Sequence, residues 1–179
     1  MKVHFIIPYA LDKNLGRAYN ETMAALPDDD WACMMDYDVQ LLTPDAGRII
    51  YEYVTRAKPD QLLTCYTNRV STLSKPQLLN GVVNENSDLR YHIGLAERQR
   101  QFLYQTTPIT RDISGMLMLI NKKLWQEFKF NEDKKCLGVD TEYNRRIRVA
   151  GKSIMRMDGL YVFHAYRLMN GINDKTHLL

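Results

Sequence analysis

Asp36 and Asp38 flank Tyr37 directly after the apolar run WACMM. In an extended segment, residues i and i+2 point the same way, so both carboxylates face one cleft while Tyr37 faces away. Two carboxylates alone repel each other. A divalent cation removes that repulsion and leaves positions for phosphate oxygens and water. Mg²⁺ and Mn²⁺ suit such a clamp, because both accept oxygen ligands. A solvated acidic turn carries the same signature, and a bare D-x-D is common. The context favours the clamp: an apolar strand precedes it, and LLTPD opens a capped helix after it.

Asp140 and Glu142 stand in GVDTEYNRRIRVAG, at the start of a second candidate helix. Helical positions two apart lie about 200° apart, so both cannot enter one site. A carboxylate there serves as general base if a hydroxyl comes within hydrogen-bond reach. Equally, Asp140 is a good N-cap, and both acids complement the helix dipole. His164 ends the strand YVFHAYR. As a metal ligand it needs partners, and Asp36 and Asp38 are the plausible ones; a partly buried structural histidine is the alternative. The triplet at residues 28–30, DDD, reads as a solvated turn.

The elements that must position these groups follow from hydrophobic pattern. KVHFIIP is a short buried strand ended by Pro8. LGRAYNETMAAL places Leu15, Ala18, Tyr19, Thr22 and Leu26 at helical spacing. WACMM is a second strand. TPDAGRIIYEYVTRAK is a helix with Thr43 as N-cap, Pro44 as first residue and the stripe Ala46, Ile49, Ile50, Tyr53, Val54. QLLTCY is a third strand, and SDLRYHIGLAERQRQFLYQ a helix capped by Ser87. SGMLMLIN is a fourth strand, followed by the short helix KKLWQEF. Val139, Tyr143, Ile147 and Ala150 mark a helix that Gly151 ends, and KSIMRM and LYVFHAY are two closing strands. Strands alternating with helices predict one α/β domain over residues 1–168 with a mostly parallel central sheet, then a polar tail, 169–179. In such sheets ligands bind beyond the carboxyl ends of the strands, where Asp36 and Asp38 fall.

Composition narrows the class. Apolar residues are 45% and charged residues 25% of the 179, ordinary for a globular protein. A net charge of +3, spread along the chain, does not point to nucleic acid. No apolar run approaches the roughly 20 residues of a membrane span. VHFIIPYA reaches Pro8 too soon for a leader peptide. Cys33, Cys65 and Cys136 share no short spacing and read as reduced thiols of a cytoplasmic protein.

With motifs and elements together, NLGRAYNETMAALPDDDWACMMDYDVQLLTPD resembles the middle of a GT-A glycosyltransferase, particularly the inverting family two. ISGMLMLINKKLW resembles the strand that carries acceptor-side glycines and the helix after it. VDTEYNRRIRVAGKSIMRMDGLYVFHAYR resembles the acidic motif, helix, glycine and closing strand of that family, and of the polypeptide N-acetylgalactosaminyltransferases. The likeness spans most of the chain. It implies a GT-A-like sandwich of reduced size and transfer of a sugar from a nucleoside-diphosphate sugar to a hydroxyl on a carbohydrate, lipid-linked or protein acceptor, with inversion. It implies that Asp36, Asp38 and His164 hold Mn²⁺ or Mg²⁺ against the diphosphate, and that Asp140, rather than Glu142, is the base. Asp36 itself then contacts the substrate. Arg17 falls near the donor, and Ser114 and Gly115 near the sugar or acceptor. In one respect the chain departs from the family: FIIPYALDKN runs straight into LGRAYNE, with no intervening strand–helix unit. The nucleotide pocket is then smaller, built from residues such as Pro8, Tyr9, Ala10 and Asp12, with Tyr9 able to stack on the base. Two other functions compete. One is a non-catalytic nucleotide- or sugar-binding or assembly module. The other is a sugar nucleotidyltransferase, which normally carries a glycine-rich basic loop where PYALDKNLG has one glycine and one lysine. A lipid-linked acceptor would bring the protein to the membrane periphery, and a shortened sheet can bury its edge in a homodimer.

Overall fold

The computed structural model describes residues 1–70 and 76–168; the tail expected at 169–179 lies outside the described residues. Chain order is β1 (Val3–Ile6), α1 (Leu15–Ala24), β2 (Trp31–Met35), β3 (Val39–Leu41), α2 (Ala46–Arg56), β4 (Leu62–Thr67), α3 (Leu89–Gln99), β5 (Thr106–Pro108), β6 (Leu117–Asn121), α4 (Lys122–Glu127), α5 (Val139–Val149) and β7 (Ile154–His164). The strands form one α/β sheet in the order β1-β2-β6-β4-β7-β3, with β5 also on β7.

The sheet is mixed rather than mostly parallel. β1 with β2 and β4 with β7 are parallel pairs, and the other four pairings are antiparallel. The physical reason lies in the chain after β4. A parallel neighbour needs a crossover back to the starting end of the sheet. Here the chain passes through α3 and β5 and enters β6 at the end where β4 finished. β6 therefore runs against both β4 and β2.

β6 is buried along its length, which explains why it reads as a continuous apolar run. Leu117 and Leu119 enter one core with Ile49, Ile50, Tyr53 and Val54 of α2. Met118 and Ile120 enter the other with Tyr19 and Met23 of α1, Leu124 and Trp125 of α4, and Tyr143 and Ile147 of α5. Each such side chain contributes about 1.5–3 kcal/mol through the area it removes from water. α3 covers the far part of the sheet with Leu95 and Ala96 against Tyr161.

KSIMRM and LYVFHAY are one strand, β7, not two. Cys65 pairs with Met157, but Tyr66 pairs with Tyr161, so residues 158–160 bulge out. β5 then pairs with the first half of β7 and β3 with the second. Gly159 makes the bulge feasible. Its N–H donates to the Tyr53 hydroxyl at 2.9 Å. A Cβ there would sit 2.6 Å from the Leu103 Cα.

Helix starts differ from expectation by a residue or two. Asp45, not Thr43, precedes α2, because Thr43, Pro44 and Asp45 form a turn closed by Ala46 N–H on the Thr43 carbonyl. Asp88, not Ser87, caps α3 by accepting from Arg90 N–H. Gly138, at φ +76°, precedes α5, and Asp140 is inside the first turn. No helix among the described residues is long and apolar enough to cross a membrane.

Candidate metal centre and active site

Asp36 follows β2, and its N–H donates to the Met116 carbonyl at 3.0 Å, just before β6. Residues 36–39 form a turn, closed by Val39 N–H on the Asp36 carbonyl at 3.1 Å. The extended geometry expected for Asp36 and Asp38 is therefore replaced by a turn, which leaves Tyr37 exposed. The two carboxylates still converge, because β3 returns along β7 with Val39 opposite His164. The Asp38 carbonyl also accepts Ala165 N–H at 3.0 Å.

His164 is buried at the closing end of β7. Its backbone N–H donates to Asn68 Oδ1 at 2.7 Å. Its Nδ1 lies 2.8 Å from the Arg69 carbonyl. A carbonyl only accepts, so Nδ1 carries a hydrogen, and in the neutral ring Nε2 then presents a lone pair. That Nε2 is buried, with no hydrogen-bond partner among the described residues. It lies 3.2 Å from Asp38 Oδ1 and 3.8 Å from Asp36 Oδ2. One ligand atom from each of the three residues falls within 4.8 Å of the others. In that form, a lone pair facing two carboxylate oxygens is an arrangement that a cation satisfies. The donor set and the fixed tautomer fit a divalent metal.

Asp140 reaches the same segment, residues 114–116. Its Oδ2 accepts Gly115 N–H at 2.6 Å, and its Oδ1 accepts Thr141 N–H at 2.8 Å. A Cβ at Gly115 would stand 2.9 Å from the Asp140 Cβ, so only glycine admits this approach. Ser114 is held by its main chain: its N–H donates to Gln77 Oε1 at 2.6 Å, and its carbonyl accepts from Gln77 Nε2 at 3.1 Å. Gln77 also donates to the Thr64 hydroxyl at 2.7 Å.

Asp36 and Asp140 act on each other's surroundings electrostatically. Burial pushes the Asp36 carboxyl up to about 6; His164 opposes the rise, and Asp38 and Asp140 add to it. Burial also raises Asp140, against the Gly115 and Thr141 N–H groups. Tyr19, Cys136 and Tyr166 each feel both Asp36 and Asp140.

The other expected residues have partners or surroundings of their own. Glu142 is bound by Arg146 at 2.6 Å and lines a groove of about 680 Å³ with Phe128, Arg145 and Val149, a groove that contains none of the triad. Arg17 donates to Asp12 Oδ1 at 2.9 Å. Pro8 and Tyr9 follow β1 at the Asp36 end of the sheet, with Tyr9 78% exposed.

Sequence reasoning missed Asn68, Arg69 and Gln77. Arg69 is buried; its guanidinium donates to the Tyr166 carbonyl at 2.8 Å and pairs with Glu85. The available signal was position: Asn68 and Arg69 follow β4 where a buried strand ends, as Asp36 follows β2. No protein-family model and no curated protein sequence matches this chain.

Proposed function

We propose that this chain is a metal-dependent glycosyltransferase that moves a sugar from a nucleoside-diphosphate sugar to a hydroxyl acceptor, inverting the anomeric carbon. The observation that carries the proposal is the buried, unpartnered His164 Nε2 aimed at Asp36 and Asp38. Those three residues would hold the ion, and an imidazole among them favours Mn²⁺ over Mg²⁺. When bound, a divalent ion offsets the charge that develops on a leaving diphosphate.

The chain's own residues do the rest. Asp36 and Asp38 set where the diphosphate lies, at the carboxyl end of β2. Asp140 takes the proton of the acceptor hydroxyl as that oxygen bonds to the anomeric carbon and the diphosphate departs from the opposite face. Burial raises Asp140 toward the range in which a carboxylate accepts a proton more readily. Gly115 fixes its direction, and Ser114 lines the same segment.

The test is Mn²⁺-dependent release of nucleoside diphosphate from UDP-, GDP- and CDP-sugars in the presence of hydroxyl acceptors. Asp140→Asn is expected to retain metal-dependent binding of the nucleoside diphosphate while release falls about 10²–10⁴-fold. Asp36→Ala is expected to lose both, and an Asp36→Ala protein that retains both sinks the proposal. One observation favours a second function, a non-catalytic nucleotide-binding module: both Asp140 oxygens already accept main-chain N–H groups. That module would bind nucleoside diphosphate with Mn²⁺ and release none from any donor.

A further inference from the structure

β1 forms one edge of the sheet, and among the described residues no strand lies beyond it. Backbone groups along a strand alternate sides. The Lys2 carbonyl accepts Trp31 N–H at 2.9 Å, and Lys2 N–H donates to Asp30, so Lys2 faces β2. By alternation His4 and Ile6 face β2 as well, and the N–H and C=O groups of Val3, Phe5 and Ile7 turn toward the free edge.

The side chains alternate too. Phe5, Ile7, Tyr9 and Leu11 are exposed, whereas Ile6, Pro8 and Ala10 between them are partly covered. Phe5 and Val3 lie on the α2 face: a Cβ at Gly47 would meet the Phe5 Cζ at 3.7 Å, and Val3 packs into the core that α2 lines. Tyr51, one helical turn after Gly47, extends the patch. An edge strand with an apolar face is an invitation to pairing, and natural edges normally carry charge or a bulge to prevent it.

We infer that this edge is the interface with a second copy of the chain, β1 pairing antiparallel to the partner's β1 about a two-fold axis at Phe5. The register explains the choice of occupant. The outward residues Val3, Phe5 and Ile7 are symmetric about Phe5. A two-fold there sets Phe5 against Phe5 of the partner subunit, and Val3 against Ile7 of the partner subunit. Every outward N–H and C=O in the set then finds a partner. Met1 meets Tyr9 of the partner subunit, which continues the apolar row. Lys2, the charge within this stretch, meets Pro8 of the partner subunit, so no like charges face each other. Pro8 lacks an N–H, but its position faces β2, so the outward row is not interrupted.

The area suffices. Met1, Phe5, Ile7, Tyr9 and Tyr51 are 52%, 44%, 53%, 78% and 45% exposed. At roughly 200 Å² for a whole large side chain, they offer about 1,000 Å² for the pair, the threshold of a specific interface. The result is one continuous sheet across two chains, closed by symmetry rather than left open to fibre growth.

Sedimentation velocity on the full chain tests this. The wild type is expected to be a dimer at micromolar concentration. Phe5→Glu sets two like charges on the axis and is expected to be a monomer with an unchanged circular dichroism spectrum. Should that variant fail to fold, Ile7→Lys carries the same expectation. In a background that also removes Cys33, the ladder partner of Phe5, and Cys136 (Cys33→Ala, Cys136→Ser), Phe5→Cys is expected to form a disulfide dimer under mild oxidation, because facing Cα atoms lie about 5.5 Å apart in a hydrogen-bonded pair. A wild type that stays monomeric overturns the inference. So does a dimer that survives both charge variants or leaves Phe5→Cys uncrosslinked.

Discussion

Two aspartate–histidine groups bracket β2, and they differ in what their hydrogen bonds leave over. Before the strand, Asp30 is buried; its Oδ1 accepts Lys2 N–H at 2.7 Å, and its Oδ2 meets His4 Nε2 at 2.8 Å. The His4 hydrogen bond holds the Asp30 carboxyl below its ordinary range. After the strand, Asp36 keeps 39% of its side chain open and is pushed up to about 6 by its surroundings. His164 there spends Nδ1 on a main-chain carbonyl and leaves Nε2 without a partner. The residue types are the same. Asp30 and His4 complete each other and tie the N-terminal strand to the sheet. Asp36, Asp38 and His164 leave Nε2 without a hydrogen-bond partner among the described residues, and a cation would complete them. A closed pair is a clamp; an open cluster is a candidate binding site.

Substitutions at the two ends should therefore separate. The largest effect is on metal affinity: Asp38→Ala or His164→Ala is expected to weaken Mn²⁺ binding by more than about 100-fold, since each removes one ligand of the proposed centre. Asp30→Ala is expected to leave Mn²⁺ affinity unchanged and to lower the melting temperature instead. Calorimetric titration and thermal melts on the same samples decide this.

Next in size is Gly115→Ala. The new Cβ would press on Asp140, which costs about 1–3 kcal/mol and displaces the carboxylate. Sugar transfer is expected to fall far more than Mn²⁺ affinity does. Equal losses in both would show that Asp140 and the triad are not separable.

The pH dependence of stability should run in opposite directions at the two ends. Asp36 has a folded-state pKa above its ordinary value of about 3.9, so its contribution is present below that value. The contribution is lost as pH rises through about 6. Asp30 has a lowered pKa, so its contribution is present above the ordinary value and lost as pH falls. In chelator, the wild-type advantage in melting temperature over Asp36→Asn is expected to shrink between about pH 4 and pH 6. The advantage over Asp30→Asn is expected to shrink only below about pH 4. Parallel slopes would remove the distinction. The smallest effect is at Glu142→Gln, where a half-exposed pair with Arg146 is lost: Mn²⁺ affinity is expected to be unchanged and stability to move by less than about 1 kcal/mol.

Much of the fold was legible because period and burial agree. The α2 stripe from Ala46 to Val54 is buried as its spacing requires, and β6 is apolar from Leu117 to Ile120 because helices cover both its faces. The sheet direction was not legible, since the hydrophobic pattern of a buried strand is the same whichever way it runs. The bulge at residues 158–160 was equally hidden, because Asp158 and Gly159 look like a turn between strands. Three-residue β3 is too short to show a period, yet it brings Asp38 to His164. At the candidate site, Asp36, Asp38, His164 and Asp140 stand out by residue type and position, and the structure brings ligand atoms of the first three within 4.8 Å of one another. Asp30 was misread as solvated because nothing local announces His4, 26 residues earlier in the chain. Asn68 and Arg69 were missed for the same reason, their partner His164 lying 96 and 95 residues on.

The central claim is that the open end of β2 binds a divalent metal together with a nucleoside diphosphate. The direct measurement is calorimetric titration of UDP, GDP and CDP into the protein with and without Mn²⁺, repeated on Asp36→Ala and Asp30→Ala. The account predicts saturable binding of at least one nucleoside diphosphate that requires Mn²⁺, disappears in Asp36→Ala and survives in Asp30→Ala. No binding of any of the three with Mn²⁺, or binding undiminished in Asp36→Ala, would contradict it.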